Sequence, residues 1–481
     1  MMYRIGTVSL AVLVGLAPLS LASPVVIDEA TFKQNGGNVA NLANSIKTDN
    51  EKLRQQSLEL PWLVVGNIGG CTATWLGDKE SWSYILTAAH CVDYVGTATA
   101  IEEKFSAPNG QVIASGRGTV YVPPQRINIP PGMGGASTDI AILKLPTRNA
   151  MVDGQGRPLD RPILNDASDE KGRDIIYVGY GAWGVGKSES GSYGPAKGER
   201  RLYGRSRIDR LFELDHGIGA PYQSEGPSPY WATTAPGDSG SAWWQIRGGR
   251  PVIIATTNGG HATLSTGARV SKYVGWVKSI YPEARFLSAQ QPQGCIVSMD
   301  SGARYCMTAG QKSAYSLPAW INGHNVSVDA APGTAVKLSD FDALSYNRVA
   351  SFVGTVGTDG LRKVRAANGQ DLDFSRPKSM GVTADKTPLG CIVSLTSCAR
   401  YCLPAGQGSG YSLPSWVKAH EVQVEAASGT AVVLSDFENL AYNRLATFDG
   451  FVQNWELKKV KAENGQDLDF SRPKSMRVVK K

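Results

Sequence analysis

The stretch that decides the reading is Pro236-Gly237-Asp238-Ser239-Gly240-Ser241-Ala242. A serine set between glycines has little bulk around its hydroxyl. The glycine backbone also leaves N–H groups free to face the charge that develops on a substrate carbonyl oxygen. Such a hydroxyl attacks near neutral pH only when a base takes its proton. A neutral imidazole does this, and a buried carboxylate fixes its tautomer and stabilises the imidazolium that forms. Two upstream stretches supply both parts. Leu86-Thr87-Ala88-Ala89-His90-Cys91 carries the imidazole, and Thr138-Asp139-Ile140-Ala141-Ile142-Leu143 carries the carboxylate. A lone serine between glycines is usually just a turn; all three segments, in the order His, Asp, Ser within one region, make a nucleophilic site.

That region, from Pro61 to Leu287, consists of short β-branched runs separated by Gly and Pro. Examples are Trp62-Leu63-Val64-Val65, Tyr84-Ile85-Leu86-Thr87, Ile175-Ile176-Tyr177-Val178 and Val252-Ile253-Ile254-Ala255. Turn-bounded runs of this length predict an all-β barrel or sandwich. One helix-like stretch, Lys272–Tyr281, closes it.

These segments resemble the trypsin/chymotrypsin-like serine endopeptidases, over Pro61 to Tyr281. The chain order differs from that of subtilisins and α/β-hydrolases, and Gly237-Asp238-Ser239-Gly240-Ser241 lacks the second glycine of a Gly-x-Ser-x-Gly elbow. Pro61-Trp62-Leu63-Val64-Val65 resembles the family's first barrel strand. Gly179-Tyr180-Gly181-Ala182-Trp183-Gly184 resembles the turn opening the second barrel, and Gly267-Ala268-Arg269-Val270-Ser271 the strand before the C-terminal helix. The resemblance implies a two-barrel chymotrypsin-like domain with His90 as general base, Asp139 as its orienter and Ser239 as nucleophile. It also implies an oxyanion hole at the N–H groups of Gly237 and Ser239, and a Cys71–Cys91 bridge. Thr233, six residues before the nucleophile, falls at the base of the primary pocket, with Thr257, Asn258 and Gly259 on the opposite wall. An acid at the base selects Lys or Arg in the family; a threonine leaves such a cation without its counter-charge, which points to uncharged side chains at the cleavage site. Zymogens of the family free a new N-terminus whose ammonium pairs with the Asp before the nucleophile. Asp238 is present, but no Ile/Val-Val/Ile-Gly-Gly tetrapeptide precedes Pro61. Cleavage after Lys47 or Arg54, and activity without such a switch, both stay open. No His/Cys/Asp spacing matches a closed metal site, and no cofactor is implied.

Beyond the linker 288–293 the chain repeats itself. Gly294–Met380 aligns with Gly390–Met476 without a gap, with 57 identities in 87 positions. The modules read as 294–381 and 390–481, joined by 382–389, and a gapless repeat of this length is not chance. Alternating strands, Gly turns and spaced aromatics suit Greek-key β structure. The arrangement resembles βγ-crystallin domains. Where that family's calcium loop has adjacent Asn/Asp residues, Asn322-Gly323 keeps one and Lys418-Ala419 neither, so weak or absent calcium binding is expected. Equal spacing suggests bridges Cys295–Cys306 and Cys391–Cys402. Cys398 is left over as a free thiol, an intermolecular bridge or a partner in scrambling.

Residues 1–22 have a short positive start, an apolar run and small residues before a cleavage point near Ala22. They read as a secretory signal, and residues 23–59 as a propeptide or N-terminal extension. Export permits disulfides. The 481 residues, 42% hydrophobic and 19% charged, exclude a disordered polyelectrolyte, and no internal apolar stretch is long enough to span a membrane. A net charge of +7 does not imply nucleic acid. The expectation is a monomeric, secreted serine endopeptidase acting on proteins or peptides. The repeats would serve stability or spacing, bind a surface or glycan, or control access to the cleft. A catalytically silent, protease-like adhesin whose repeats do the work is the alternative, and an esterase the third reading.

Overall fold

The computed structural model describes residues 25–34, 38, 51–187, 191–193, 201–222, 231–247, 249–261, 264–300, 303–313, 317–319, 321–409 and 413–481. The signal at 1–22, Lys47 and much of the extension lie outside the described residues. So do Gly302, Tyr315, Ser316, Trp320, Tyr411 and Ser412 of the repeats.

The chain is all-β. Six antiparallel strands close into a barrel in the order Val65–Ile68, Cys71–Lys79, Trp82–Thr87, Ala141–Pro146, Val112–Tyr121, Ala98–Ser106. The seam is the pair Asn67 and Ser106. A Cβ on Gly66 would lie 2.1 Å from the Ser106 carbonyl oxygen, so only glycine lets the ends meet there. Phe105, Val120, Ile85 and Leu143 fill the interior.

A second, nine-stranded sheet makes the other half. Its main path runs Leu202–Arg207, Asp174–Gly179, Ala242–Arg247, Arg250–His261, Leu264–Arg269, Gly217–Pro221, Arg210–Phe212. The helix expected at the end of this region is Val274–Ile280, entered through a single turn at Val270–Lys272. A buried ion pair, Arg269 Nη2 to Glu170 Oε2 at 2.5 Å, anchors that turn, and the Ser271 hydroxyl donates to the other carboxylate oxygen at 2.7 Å.

The extension is built into this half of the molecule. Val25–Asp28 pairs in parallel with Trp183–Lys187, and Phe32 and Leu53 are buried in the same cluster as Trp62 and Val65. Arg201 holds the junction. Its buried guanidinium donates to the carbonyls of Val65 (2.5 Å), Trp62 (2.7 Å) and Ser57 (2.8 Å). Three carbonyls satisfy a cation whose burial would otherwise be prohibitive.

Each repeat pairs a four-stranded with a three-stranded sheet, in the same order. In the first, Gln293–Ser298 sits between Arg304–Thr308 and Val326–Ala330, and Thr334–Ser339 sits between Val349–Val353 and Ser379–Ala384. The disulfides are Cys71–Cys91, Cys295–Cys306 and Cys391–Cys402. The last two join residues directly opposite on neighbouring strands. Cys398 is a buried free thiol, and burial pushes its pKa up.

In the second repeat, Lys418 and Ala419 lie in the helix Ser415–Ala419, so a lysine-bearing helix stands where the family's calcium acids would be. Calorimetric titration should find no calcium site tighter than about 10⁻³ M, the weak end for extracellular modules; a tight isotherm would show that this loop has been misread.

Candidate active site

His90 is delivered by a turn of 3₁₀ helix, Ala89–Cys91, at the end of barrel strand Trp82–Thr87. Asp139 lies two residues before strand Ala141–Pro146, the neighbour of that strand. The two residues are therefore adjacent by sheet pairing, although 49 positions separate them in sequence. His90 Nδ1 lies 2.5 Å from Asp139 Oδ2, and the His90 backbone N–H donates to Asp139 Oδ1 at 2.9 Å. On the other side of the ring, Nε2 is 2.8 Å from the Ser239 hydroxyl. Asp139 is buried and its ring partner half-exposed, so the line runs from the protein interior to the cleft.

Ser239 comes from the second sheet, and Thr72 ties its loop to the barrel. The Thr72 N–H donates to the Ser239 carbonyl (2.9 Å) and its hydroxyl to the Gly237 carbonyl (2.8 Å). The same hydroxyl oxygen accepts the Tyr180 N–H at 3.0 Å. Thr72 follows Cys71, whose disulfide partner Cys91 follows His90. Gly237 has φ +94° and Gly240 φ +80°, and a Cβ on Gly240 would meet the Thr87 hydroxyl at 2.1 Å. Glycine is required there on both counts. Among the described residues, no acceptor takes the backbone N–H of Gly237 or Ser239.

The expected pocket residues gather beside this loop. The hydroxyls of Thr233 and Ser265 share a hydrogen bond of 2.5 Å, and the Thr234 N–H donates to Ser265 Oγ at 2.9 Å. Thr257 bonds the Ser241 hydroxyl (2.6 Å) and accepts from Trp243 Nε1 (2.9 Å). Asn258 donates to the Ala136 carbonyl and accepts from Thr266 (2.6 Å), fastening the wall to the loop before Asp139. The space where a Gly259 side chain would sit is open. Sequence reasoning passed over Thr72, Ser265 and Arg126, whose Nη2 stands 3.6 Å from Asp139 Oδ1. Each is an ordinary residue in its own segment, marked by no local pattern.

Among the described residues the His216 ring reaches the Tyr273 hydroxyl (3.4 Å) and none of His90, Asp139 or Ser239, and burial lowers its pKa. Cys71, His90 and Cys91 bring potential ligand atoms within 4.8 Å of one another, but both sulfurs are spent in the disulfide and offer no thiolate.

Residues 49–277 match the family model described as Trypsin, and residues 294–383 and 390–479 each match that described as Beta/Gamma crystallin. The chain carries a trypsin domain followed by two β/γ-crystallin domains. It is also 59% identical over 96 residues to the metalloprotease StcE of Escherichia coli O157:H7, which covers 20% of this chain and 11% of that protein. The chain thus spans a small part of that relative's length.

One group in the trypsin domain lacks an expected companion. Asp238 is buried and accepts the N–H groups of Gly181 (2.8 Å) and Ala235 (3.0 Å), and no cation pairs with it among the described residues. Burial pushes its pKa up to about 7, against those two hydrogen bonds. An acid raised on folding holds a proton the unfolded chain has lost, so its stabilising contribution is full below the ordinary carboxylate range and is lost as pH rises towards 7. Relative to a Ser239→Ala parent, Asp238→Asn in the same background should therefore gain in melting temperature as pH rises from 4 to 7. A difference that falls over this interval would reveal a cation paired with Asp238.

Proposed function

We propose that the trypsin domain is a secreted serine endopeptidase, with His90, Asp139 and Ser239 as its triad. The observation that carries this reading is the unbroken hydrogen-bonded line from Asp139 through His90 to Ser239. The Ser239 hydroxyl gives its proton to His90 Nε2 as its oxygen attacks the scissile carbonyl. Asp139, accepting the Nδ1 proton, holds the ring in the required tautomer and offsets the imidazolium charge. The oxyanion forms against the N–H groups of Gly237 and Ser239, which have no acceptor to give up among the described residues. His90 then protonates the leaving amine, and a water activated by the same imidazole releases the acyl group from Ser239.

The floor of hydroxyls at Thr233 and Ser265 supports a preference for uncharged side chains, because these described residues offer hydroxyls, and not a carboxylate, to a guanidinium or ammonium. The leader at 1–22 and the three disulfides support export.

A serine-directed phosphonofluoridate should label mature protein stoichiometrically, with the adduct on Ser239 by mass spectrometry. Ser239→Ala should lower kcat by about 10⁴- to 10⁶-fold, and Asp139→Asn by about 10⁴-fold. Absence of an adduct would favour a silent, protease-like binding protein. A peptide library should show cleavage after uncharged residues; cleavage confined to Lys or Arg would overturn the pocket assignment.

A further inference from the structure

The two repeats share most of their sequence, yet among the described residues it is the second that joins the buried core of the trypsin domain. Each repeat has a core of its own, but Leu389, Cys391, Val393, Leu395, Cys398 and Cys402 also belong to the same buried cluster as Trp62, Tyr203 and Trp244, which includes no described residue of the first repeat. The first repeat reaches the second through Asp329, buried between Arg304 and Arg400 (2.8 Å to Arg400 Nε), and through the Thr355 hydroxyl, which accepts the Cys402 N–H at 2.9 Å. The second repeat thus contacts both the trypsin domain and the first repeat, although it comes last in the chain.

Several positions where the repeats differ make this contact. Glu421, which is Asn325 in the first repeat, bonds Arg205 Nη1 at 2.6 Å. Arg205 also reaches Asp174 at 3.2 Å, and Lys458 reaches Glu421 at 2.7 Å, so two carboxylates and two cations form one compact network. Gln453, where the first repeat has Gly357, accepts the Asp174 N–H at 2.6 Å and donates to the Gly172 carbonyl. Trp455 and Phe451, in place of Asp359 and Thr355, lie under the guanidiniums of Arg207 (4.3 Å) and Arg173 (4.8 Å). The Tyr203 hydroxyl donates to the Leu395 carbonyl at 2.9 Å.

Arg205 has a second task. Its carbonyl accepts the Ala232 N–H at 2.8 Å, and it bridges Trp231 in parallel register. That segment leads directly into Thr233 and Thr234. The side chain of Arg205 is therefore held by the second repeat while its backbone holds the pocket segment.

We propose that the second β/γ-crystallin repeat is a structural part of the protease, docked on the trypsin domain through residues that diverged from the first repeat, and that Glu421 acts through Arg205 as a positioning residue for the primary pocket. The positioning claim rests on the proteolytic reading of Ser239; the docking claim does not. A paired buried charge network tolerates loss of one member poorly, and displacement of a pocket segment weakens substrate positioning.

The test introduces a specific protease site in the linker 288–293 of the full chain, so that the contact between the two repeats stays within one fragment. After nicking under native, non-reducing conditions, the fragment 294–481 should co-elute with the trypsin domain on size exclusion. In Glu421→Asn/Gln453→Gly/Trp455→Asp, which restores residues the repeat fold already accommodates, it should separate. Release from the unsubstituted protein would overturn docking, as would retention in the variant. In the intact chain, Glu421→Asn should raise KM for a peptide substrate by at least about five-fold with kcat changed less than about two-fold. Lys474→Ala, away from this interface, should change neither. Unchanged KM in Glu421→Asn, with only a lower melting temperature, would overturn positioning. Failure of Ser239 to label in any form would defeat the proteolytic reading, and the nicking result would still decide docking.

Discussion

The hydrogen bonds of Thr72 are the constraint on which the site depends. His90 and Asp139 belong to the closed barrel, Ser239 to the second sheet, and neither half fixes the other's orientation by itself. Thr72 donates to Ser239 and Gly237 from within the barrel and receives Tyr180 from the opposite half. Its neighbour Cys71 is bridged to the residue after His90. One short segment therefore sets the distance between imidazole and hydroxyl, and a hydrogen bond between them tolerates only a few tenths of an ångström of error.

The electrostatics around this point are arranged by burial and pairing. Asp139 is met by the His90 ring and backbone, with Arg126 beside it. Asp238, next to Ser239, has two backbone donors among the described residues and is driven towards its neutral form by burial. Other buried charges are met by an opposite one, as in Arg269 with Glu170 and Arg205 with Glu421, or by carbonyls, as in Arg201. Such pairs add little net stability over apolar packing, but a mismatch at them is costly, so they fix which surfaces meet.

Much of this was legible before the fold was known. The His, Asp and Ser segments carry local composition that chemistry demands of them, and the 96-residue period declares two equivalent modules. The extension at 23–59 was legible only as a propeptide or N-terminal extension: nothing in its polar composition says where Phe32 and Leu53 would be buried, because that depends on strands far along the chain. The pocket floor was half visible: Thr233 is placed by its distance from Ser239, whereas Ser265 joins it only across the sheet. Arg201 gave no signal, since a guanidinium satisfied by three carbonyls looks like any other arginine in sequence.

The sequence by itself determined the β architecture, the duplication and the identities of the three chemically competent side chains. Each is written in neighbouring residues: alternation, turn glycines, a gapless repeat, small residues around a serine. Tertiary structure alone decided which of the two similar repeats packs against the trypsin domain, that Cys398 would be buried, and that no cation among the described residues would pair with Asp238. These depend on contacts between residues tens to hundreds of positions apart, where burial and geometry, rather than local pattern, set the energy.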